Sequence, residues 1–395
     1  MASRAGLLTA AYYAAIFTAI GAHLPFWPLW LAHWGLDEAE IGWFLGAALA
    51  VRIVANALLS AVADRYAVRR AMLAVTGVAA AMVFALHALA ETKAMLFALT
   101  LLVTVTLSPM IPLGEALGLR AAAMHGFAYA HVRAAGSIAF LAANVAVGMA
   151  IGRLGPDAAL YTLVVAIAAS AVLGAVHPGG GAPPGAGGDS ARWREGLALF
   201  RARRLVLFAL AVALGQASHA SYYTYSALDW AAEGLSTVRV GQLWAFGVLA
   251  ETALMLGPGR AWVGRLGAVG AILVGAAAGL VRWAAMAAGA EGAVLWPLQA
   301  LHALSFGLLH LGTMAFVAAA LPLRLQASGQ GVLLGLASGV AMALATLGAG
   351  EAYALAGAEG AWLWAAALSA CALAAAATLA LQRPKAPEPR STEGA

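Results

Sequence analysis

Long apolar runs broken by short polar clusters make up most of the chain. They fall at roughly 7–31, 41–63, 71–90, 94–119, 130–152, 158–177, 205–228, 238–258, 266–288, 293–320, 327–350 and 361–381. Each is about 20 residues or longer, the length an α-helix needs to cross ~30 Å of hydrocarbon. None shows the strict apolar–polar alternation of a membrane β-strand. The pattern predicts an all-α membrane protein with twelve transmembrane helices.

Composition agrees. Of 395 residues, 63% are hydrophobic and 10% charged, and the mean hydropathy is +0.87. A soluble domain is about a quarter charged, so a soluble enzyme, a nucleic-acid binder and a disordered scaffold are disfavoured. The single cysteine, Cys371, allows no intrachain disulfide. The apolar run after Arg4 outlasts a signal-peptide core and lacks a small-residue cleavage site, so it is read as the first span.

The net charge of +5 matters through its distribution. With the N-terminus in the cytoplasm, only Lys93, Arg153 and Arg239 fall outside, and Arg52, Arg133 and Arg282 fall within spans. The remaining cations of the 22 lie inside, while Asp37, Glu38, Glu40, Asp229 and Glu233 lie in outer loops. The positive-inside rule then sets both termini in the cytoplasm of an inner, plasma membrane.

The longest break, 178–204, opens on a Gly/Pro-rich stretch and closes on the basic run Trp193 to Arg204. It is a flexible linker carrying topology charges, or in part an amphipathic helix on the inner surface. It separates an N-terminal six-helix half (1–177) from a C-terminal one (205–381), followed by a cytoplasmic tail (382–395). Six plus six is the layout of transporters built from two related halves around a central site. Pro25 and Pro28, Pro109 and Pro112, and Pro297 mark the first, fourth and tenth spans as candidate cavity-lining helices. The ridges Gly275–Gly279 and Gly331, Gly335, Gly339 fit close helix packing.

Ionisable groups inside a span cost ~2.5–3.5 kcal/mol on insertion scales, so each needs a partner or a task. Glu115 and Arg133 have matching depths on consecutive spans and are expected to pair, as a substrate site or as self-neutralising structure. Arg52, midway along the second span, has no acid of similar depth in its half. Arg282 and Glu251 differ in depth by about 10 Å at 1.5 Å per residue and are not paired. In the tenth span Gln299, His302, Phe306 and His310 form one stripe, expected to face a cavity. In the seventh, Gln216, His219, Tyr222 and Tyr223 are candidate cavity residues, and Tyr225 and Trp230 read as an interfacial belt. No carboxylate or Cys joins the histidine stripe, so no metal is expected. The two lysines, Lys93 and Lys385, do not follow glycine, which excludes a G-x-x-x-x-G-K-[ST] phosphate loop. No cofactor is expected, with a proton gradient as the energy source.

The loop SAVADRYAVRR resembles the signature G-x-x-x-D-R-x-G-R-R between helices 2 and 3 of the major facilitator superfamily. Asp64, Arg65 and Arg69 match as gating-loop residues; Ser60, Ala67 and Val68 replace two glycines and an arginine. Segments 24–31 (LPFWPLWL), 108–117 (SPMIPLGEAL), 131–140 (HVRAAGSIAF), 241–251 (GQLWAFGVLAE), 281–286 (VRWAAM) and 324–328 (RLQAS) resemble the phenylpropionate permease branch, itself similar to galactoside–proton symporters. This resemblance implies the major facilitator fold and transport by alternating access. It also implies a substrate-binding pair in Glu115 of Pro112-x-x-Glu115 and Arg133 of Arg133-x-x-Gly136, with Glu251 nearby. Arg282 and His302 match the family's helix 9 Arg and helix 10 His. Gln299 and Ser305 stand where the symporters carry a lysine and the proton-cycling carboxylate, and His219 and Tyr222 lie near the missing helix 7 acids. Sugar-symporter proton chemistry therefore does not carry over, and coupling must fall on Glu251, Glu115 or His302, with Arg282, Gln299, His219 and Arg52 in the charge network.

The expectation is a monomeric, proton-coupled importer of a small aromatic acid such as phenylpropionate, with lipid and small-molecule partners and no nucleic acid. Arg133 would fork onto the carboxylate, and Trp27, Trp30, Tyr222 and Trp244 would flank the ring. A nucleoside or sugar symporter is the alternative, favoured by a carboxylate able to accept from hydroxyls. A non-transporting sensor or scaffold is the third reading; it would favour a long soluble tail, and only 14 residues follow 381.

Overall fold

The computed structural model describes residues 3–180, 201–321, 335 and 337–382. Most of the expected linker, Gly331, the RLQAS segment and the tail beyond 382 lie outside the described residues. The described residues are helical with short turns and contain no strand. The N-terminal segment holds α1 (Arg4–Trp34), α2 (Glu38–Arg65), α3 (Arg69–His87), α4 (Lys93–Leu107), α5 (Met110–His125), α6 (Tyr129–Leu154) and α7 (Asp157–Ala175). The C-terminal segment holds α8 (Arg203–Ala217), α9 (Ala220–Ala232), α10 (Thr237–Leu256), α11 (Gly259–Ala287), α12 (Leu295–Ala300), α13 (Leu309–Ala320) and α14 (Ala337–Leu381). A π-helical stretch, Ala303–Leu308, lies between α12 and α13.

Helix ends follow local chemistry. Ser3 caps α1, which stops at Gly35 with φ 111°, a left-handed conformation glycine adopts without a Cβ penalty. Asp37 and Glu40 form a reciprocal capping box on α2. After α2 the chain turns at Ala67 with φ 54°, where the resembled signature has glycine. A left-handed alanine costs about 1 kcal/mol. Asp64 closes this turn by accepting from Arg69 Nε at 2.5 Å, and the Arg65 guanidinium lies over Tyr66.

Ten helices are long and apolar enough to cross a membrane among the described residues, fewer than the twelve expected. One of them, α14, covers most of the last two predicted segments as two helices that meet at the non-helical residues Ala356 and Gly357. Helix α10, which carries Arg239 and Glu251, is not among the ten.

Several predicted spans are broken. The fourth breaks at Ser108–Pro109, where proline has no N–H to continue α4. The seventh breaks at Ser218–His219 without a proline. There Ser218 Oγ donates to Gly215 O at 2.8 Å and His219 Nδ1 lies 3.2 Å from the same carbonyl, side-chain bonds that compete with the helix ladder. In the glycine ridges, a Cβ on Gly275 would lie 2.7 Å from Leu309 Cβ, and one on Gly339 3.2 Å from Ile53 Cγ1. These are close helix contacts of the kind that replace the hydrophobic drive in lipid.

The two segments meet at one end of the bundle, the face formed by turns 35–37, 155–156 and 233–236. There Tyr225 Oη donates to Glu38 O and Thr237 Oγ1 to Gly148 O, both at 2.7 Å. A Cβ on Gly42 would sit 2.6 Å from Gly350 Cα. Tyr225 and Trp230 are fully buried, so neither is the belt residue the sequence suggested. Tyr225 closes the contact between segments, and Trp230 packs edge-on to Tyr222.

Just past α7, His177 is buried edge-on to Tyr12, and its Nε2 has no hydrogen-bond partner among the described residues. Burial, and then the Arg70 charge, lower its pKa from 6.5 to about 4. The unfolded chain therefore binds the proton more tightly. Stability conferred by the neutral ring is complete above pH 6.5 and is lost as pH falls toward 4, by about 2 kcal/mol at pH 5. The melting temperature of the purified protein should drop between pH 7 and 5, and His177→Leu should flatten that drop. Parallel curves for the two proteins would refute the assignment.

Candidate functional site

Between the segments lies a two-lobed space. The larger lobe has a volume of about 410 Å³ and is walled by α1, α2, α3, the α4–α5 break, α7, α9 and α14. The smaller, about 320 Å³, is walled by α1, α6, α9, α10 and the stretch 302–306. Ile20, Leu24 and Tyr223 line both lobes, so they adjoin. Both volumes suit a small molecule.

Arg133 lines the smaller lobe. Its Nε donates to Glu115 Oε1 at 2.8 Å, with both side chains about a third exposed (32% and 31%). The expected pair therefore forms, half-buried, with Arg133 on the cavity wall and Glu115 behind it. Tyr129, four residues before Arg133 and so on the same helix face, donates to Glu115 Oε2, and its hydroxyl meets that of Tyr13 at 3.2 Å. The Arg133 guanidinium lies 4.2 Å from the Phe17 ring centre. Glu115 is thus tied by two donors, and a ligand carboxylate approaching Arg133 meets an acid already in place.

Across the lobe, a polar chain runs through the C-terminal segment. Glu251 Oε2 lies 3.3 Å from His302 Nε2, His302 Nδ1 lies 3.1 Å from Arg282 Nη1, and Arg282 Nη2 donates to Gln299 Oε1 at 2.6 Å. Arginine has no acceptor, so Nδ1 accepts from Arg282 and the ring's proton sits on Nε2, facing the carboxylate. Arg282 and Glu251 are not in direct contact, as their depths implied; His302 bridges them. Arg282 is fully buried between the rings of Tyr222 and Trp283, at 4.5 and 4.4 Å. Phe306 stacks on His302. His219 Nε2 lies 3.3 Å from Ser305 Oγ.

The aromatic candidates separate into two pairs. Tyr222 and Trp244 stack at 4.4 Å in the smaller lobe. Trp27 and Trp30 stack at 4.6 Å beside the larger one. Trp27 lines it, whereas Trp30 is turned away and donates to Asp157 at 2.9 Å. A single four-ring cage is therefore not formed. His23, unremarked in the sequence, lines the larger lobe with its ring nearly parallel to Trp27. Its position one helical turn before Trp27 was the available signal. Nothing local in the sequence marks Tyr13 as a neighbour of Glu115.

Arg52 lines the larger lobe. It is exposed and forms no ion pair or hydrogen bond among the described residues. Asp64, Arg65 and Arg69 remain at the α2–α3 turn and line neither lobe. No group of three or more His, Cys, Asp or Glu side chains suited to a metal comes together among the described residues.

The MFS_1 like family model matches residues 7–364. The chain is 32% identical over 334 residues to the probable 3-phenylpropionic acid transporter of Escherichia coli (strain K12), covering 82% of this chain and 86% of that protein. It is 29% identical over 280 residues to the maltose permease of Geobacillus stearothermophilus, covering 70% of each. Its fold is similar to the crystal structure of the nucleoside transporter NupG, with TM-score 0.80 at 18% identity over 96% of this chain and 100% of that one.

Proposed function

Because the chain belongs to the MFS_1 like family and is a secondary transporter of the major facilitator type, we propose that it carries a small aromatic carboxylic acid together with a proton. The observation that carries this reading is a charge surplus around an aromatic-walled space. Among the described residues Arg52 and Arg133 line it and Arg282 adjoins it, against Glu251 on its wall and Glu115 bonded to Arg133. A monocarboxylate supplies the missing negative charge, and Trp27, Tyr222 and Trp244 offer ring faces. The phenylpropionic acid assigned by name to the Escherichia coli relative has this chemistry.

In this reading the protein has twelve transmembrane helices. The two arms of α14 count separately about the bend at 356–357, and α10 counts as a span despite its charges. Two six-helix halves, 1–177 and 205–381, rock about the central space. Both termini lie in the cytoplasm of the inner membrane, as the cation distribution favours. The face sealed by Tyr225, Glu38, Gly148 and Thr237 is then the outer one, and the space opens inward. Substrate enters the lobes and meets a guanidinium, Arg52 or Arg133. Glu251 takes the proton, with His302, Arg282, Gln299 and His219 holding its surroundings fixed.

A neutral polar substrate is the second reading. The hydroxyl-accepting Glu115 beside Arg133 favours it, as do the names of the maltose and nucleoside carriers.

Purified protein in proteoliposomes should accumulate labelled 3-phenylpropionate when the outside is acidic, and only equilibrate it without a gradient. Maltose and nucleosides should not compete. Accumulation of a nucleoside or maltose but not the acid would overturn the reading in favour of the second.

A further inference from the structure

We infer that Arg52 is the anion anchor of the larger lobe, binding the carboxylate of an aromatic acid whose ring lies along Trp27 and His23. The inference deepens the proposed transport of aromatic acids and rests on it. Arg282 is occupied by His302 and Gln299, and Arg133 by Glu115. Arg52 alone of the three has no partner among the described residues, although it lies midway along α2. A guanidinium in the depth of a membrane helix is costly and normally paired or functional. Its free fork matches the two oxygens of a carboxylate. At Arg133 the same ligand would have to displace or adjoin Glu115, a like charge.

The lobe around Arg52 is otherwise mostly apolar and aromatic, with no carboxylate among its lining residues. His23 and Trp27 lie with their ring planes 17° apart, and Phe84 meets Trp27 edge-on. Thr346 of α14 and Thr224 of α9 complete the wall from the C-terminal segment. A ligand held there touches both segments, so its binding energy differs between arrangements of the two. That difference is what lets a ligand shift a conformational equilibrium.

The test compares 3-phenylpropionate with its neutral amide, 3-phenylpropionamide, by calorimetry on the purified protein. The wild type should prefer the acid. Arg52→Gln should weaken acid binding roughly 10- to 100-fold, the loss of a charge-assisted contact, and leave amide binding intact, which also reports that the variant is folded. Arg52→Lys should recover part of the preference. If Arg52→Gln retains the preference and Arg133→Gln loses it, the anchor is Arg133; the inference fails and the aromatic-acid reading stands. If the wild type binds neither acid nor amide yet binds a nucleoside or maltose, the reading itself fails and the inference with it.

Discussion

Glu251→Gln should reduce acid-gradient-driven accumulation by about two orders of magnitude, the scale of a positioned proton-transfer group, while substrate exchange across the membrane without a gradient persists. The reason lies in what each carboxylate is bonded to. Glu115 accepts from both Arg133 and Tyr129, so protonating it would forfeit a charge-assisted bond and strand a cation. Among the described residues Glu251 pairs with the Nε2 of His302, whose other nitrogen is engaged by Arg282, and His310 is close enough to act on its charge. It also lines the smaller lobe, where a proton can reach it through water. Glutamine keeps the size and can still accept from His302 but cannot cycle a proton. Undiminished accumulation by Glu251→Gln would remove it from the coupling step. Loss of both accumulation and exchange would assign it to substrate binding instead.

Gly42→Leu should shift the protein out of its present arrangement by roughly 30-fold. A Cβ at this position would lie 2.6 Å from both Gly350 Cα and Tyr225 Oη, and the backbone contact leaves no flexible atom to yield. Overpacking costs on the order of 1–3 kcal/mol. Only the arrangement in which α2 meets α14 bears that cost, so the equilibrium moves toward separation at this face. A cysteine at Thr346, on the wall of the larger lobe, reports the change in a Cys371→Ser background. In right-side-out vesicles an impermeant maleimide should label it slowly with Gly42 in place and fast with Gly42→Leu. Equal labelling would mean that the 42–350 contact does not seal the outer entrance.

Membrane residence, the helical class and most span positions were legible because lipid permits only helices or closed barrels, and apolar runs of this length encode helices directly. The resemblance of six segments between 24 and 328, with the partial match of Asp64, Arg65 and Arg69, anticipated the family. The pairing of Glu115 with Arg133 was also legible, since two consecutive spans return to the same depth. Belt and core tryptophans were not separable, because both lie near a span end in an apolar run. Trp230 is buried and Trp30 bonds Asp157 only because other helices arrive there.

By itself, then, the sequence determined the environment of the chain, its helices and which charges lie within them, since these follow from hydropathy and length along a single dimension. Beyond the Glu115–Arg133 pair, tertiary structure decided what surrounds each of those charges. His302 came between Glu251 and Arg282, Tyr129 and Tyr13 gathered around Glu115, and Arg52 was left facing a cavity without an acid. A charge's partner depends on the rotation of each helix about its axis and on which neighbours surround it. Those are fixed by glycine contacts and ring packing across distant spans, which no local pattern encodes.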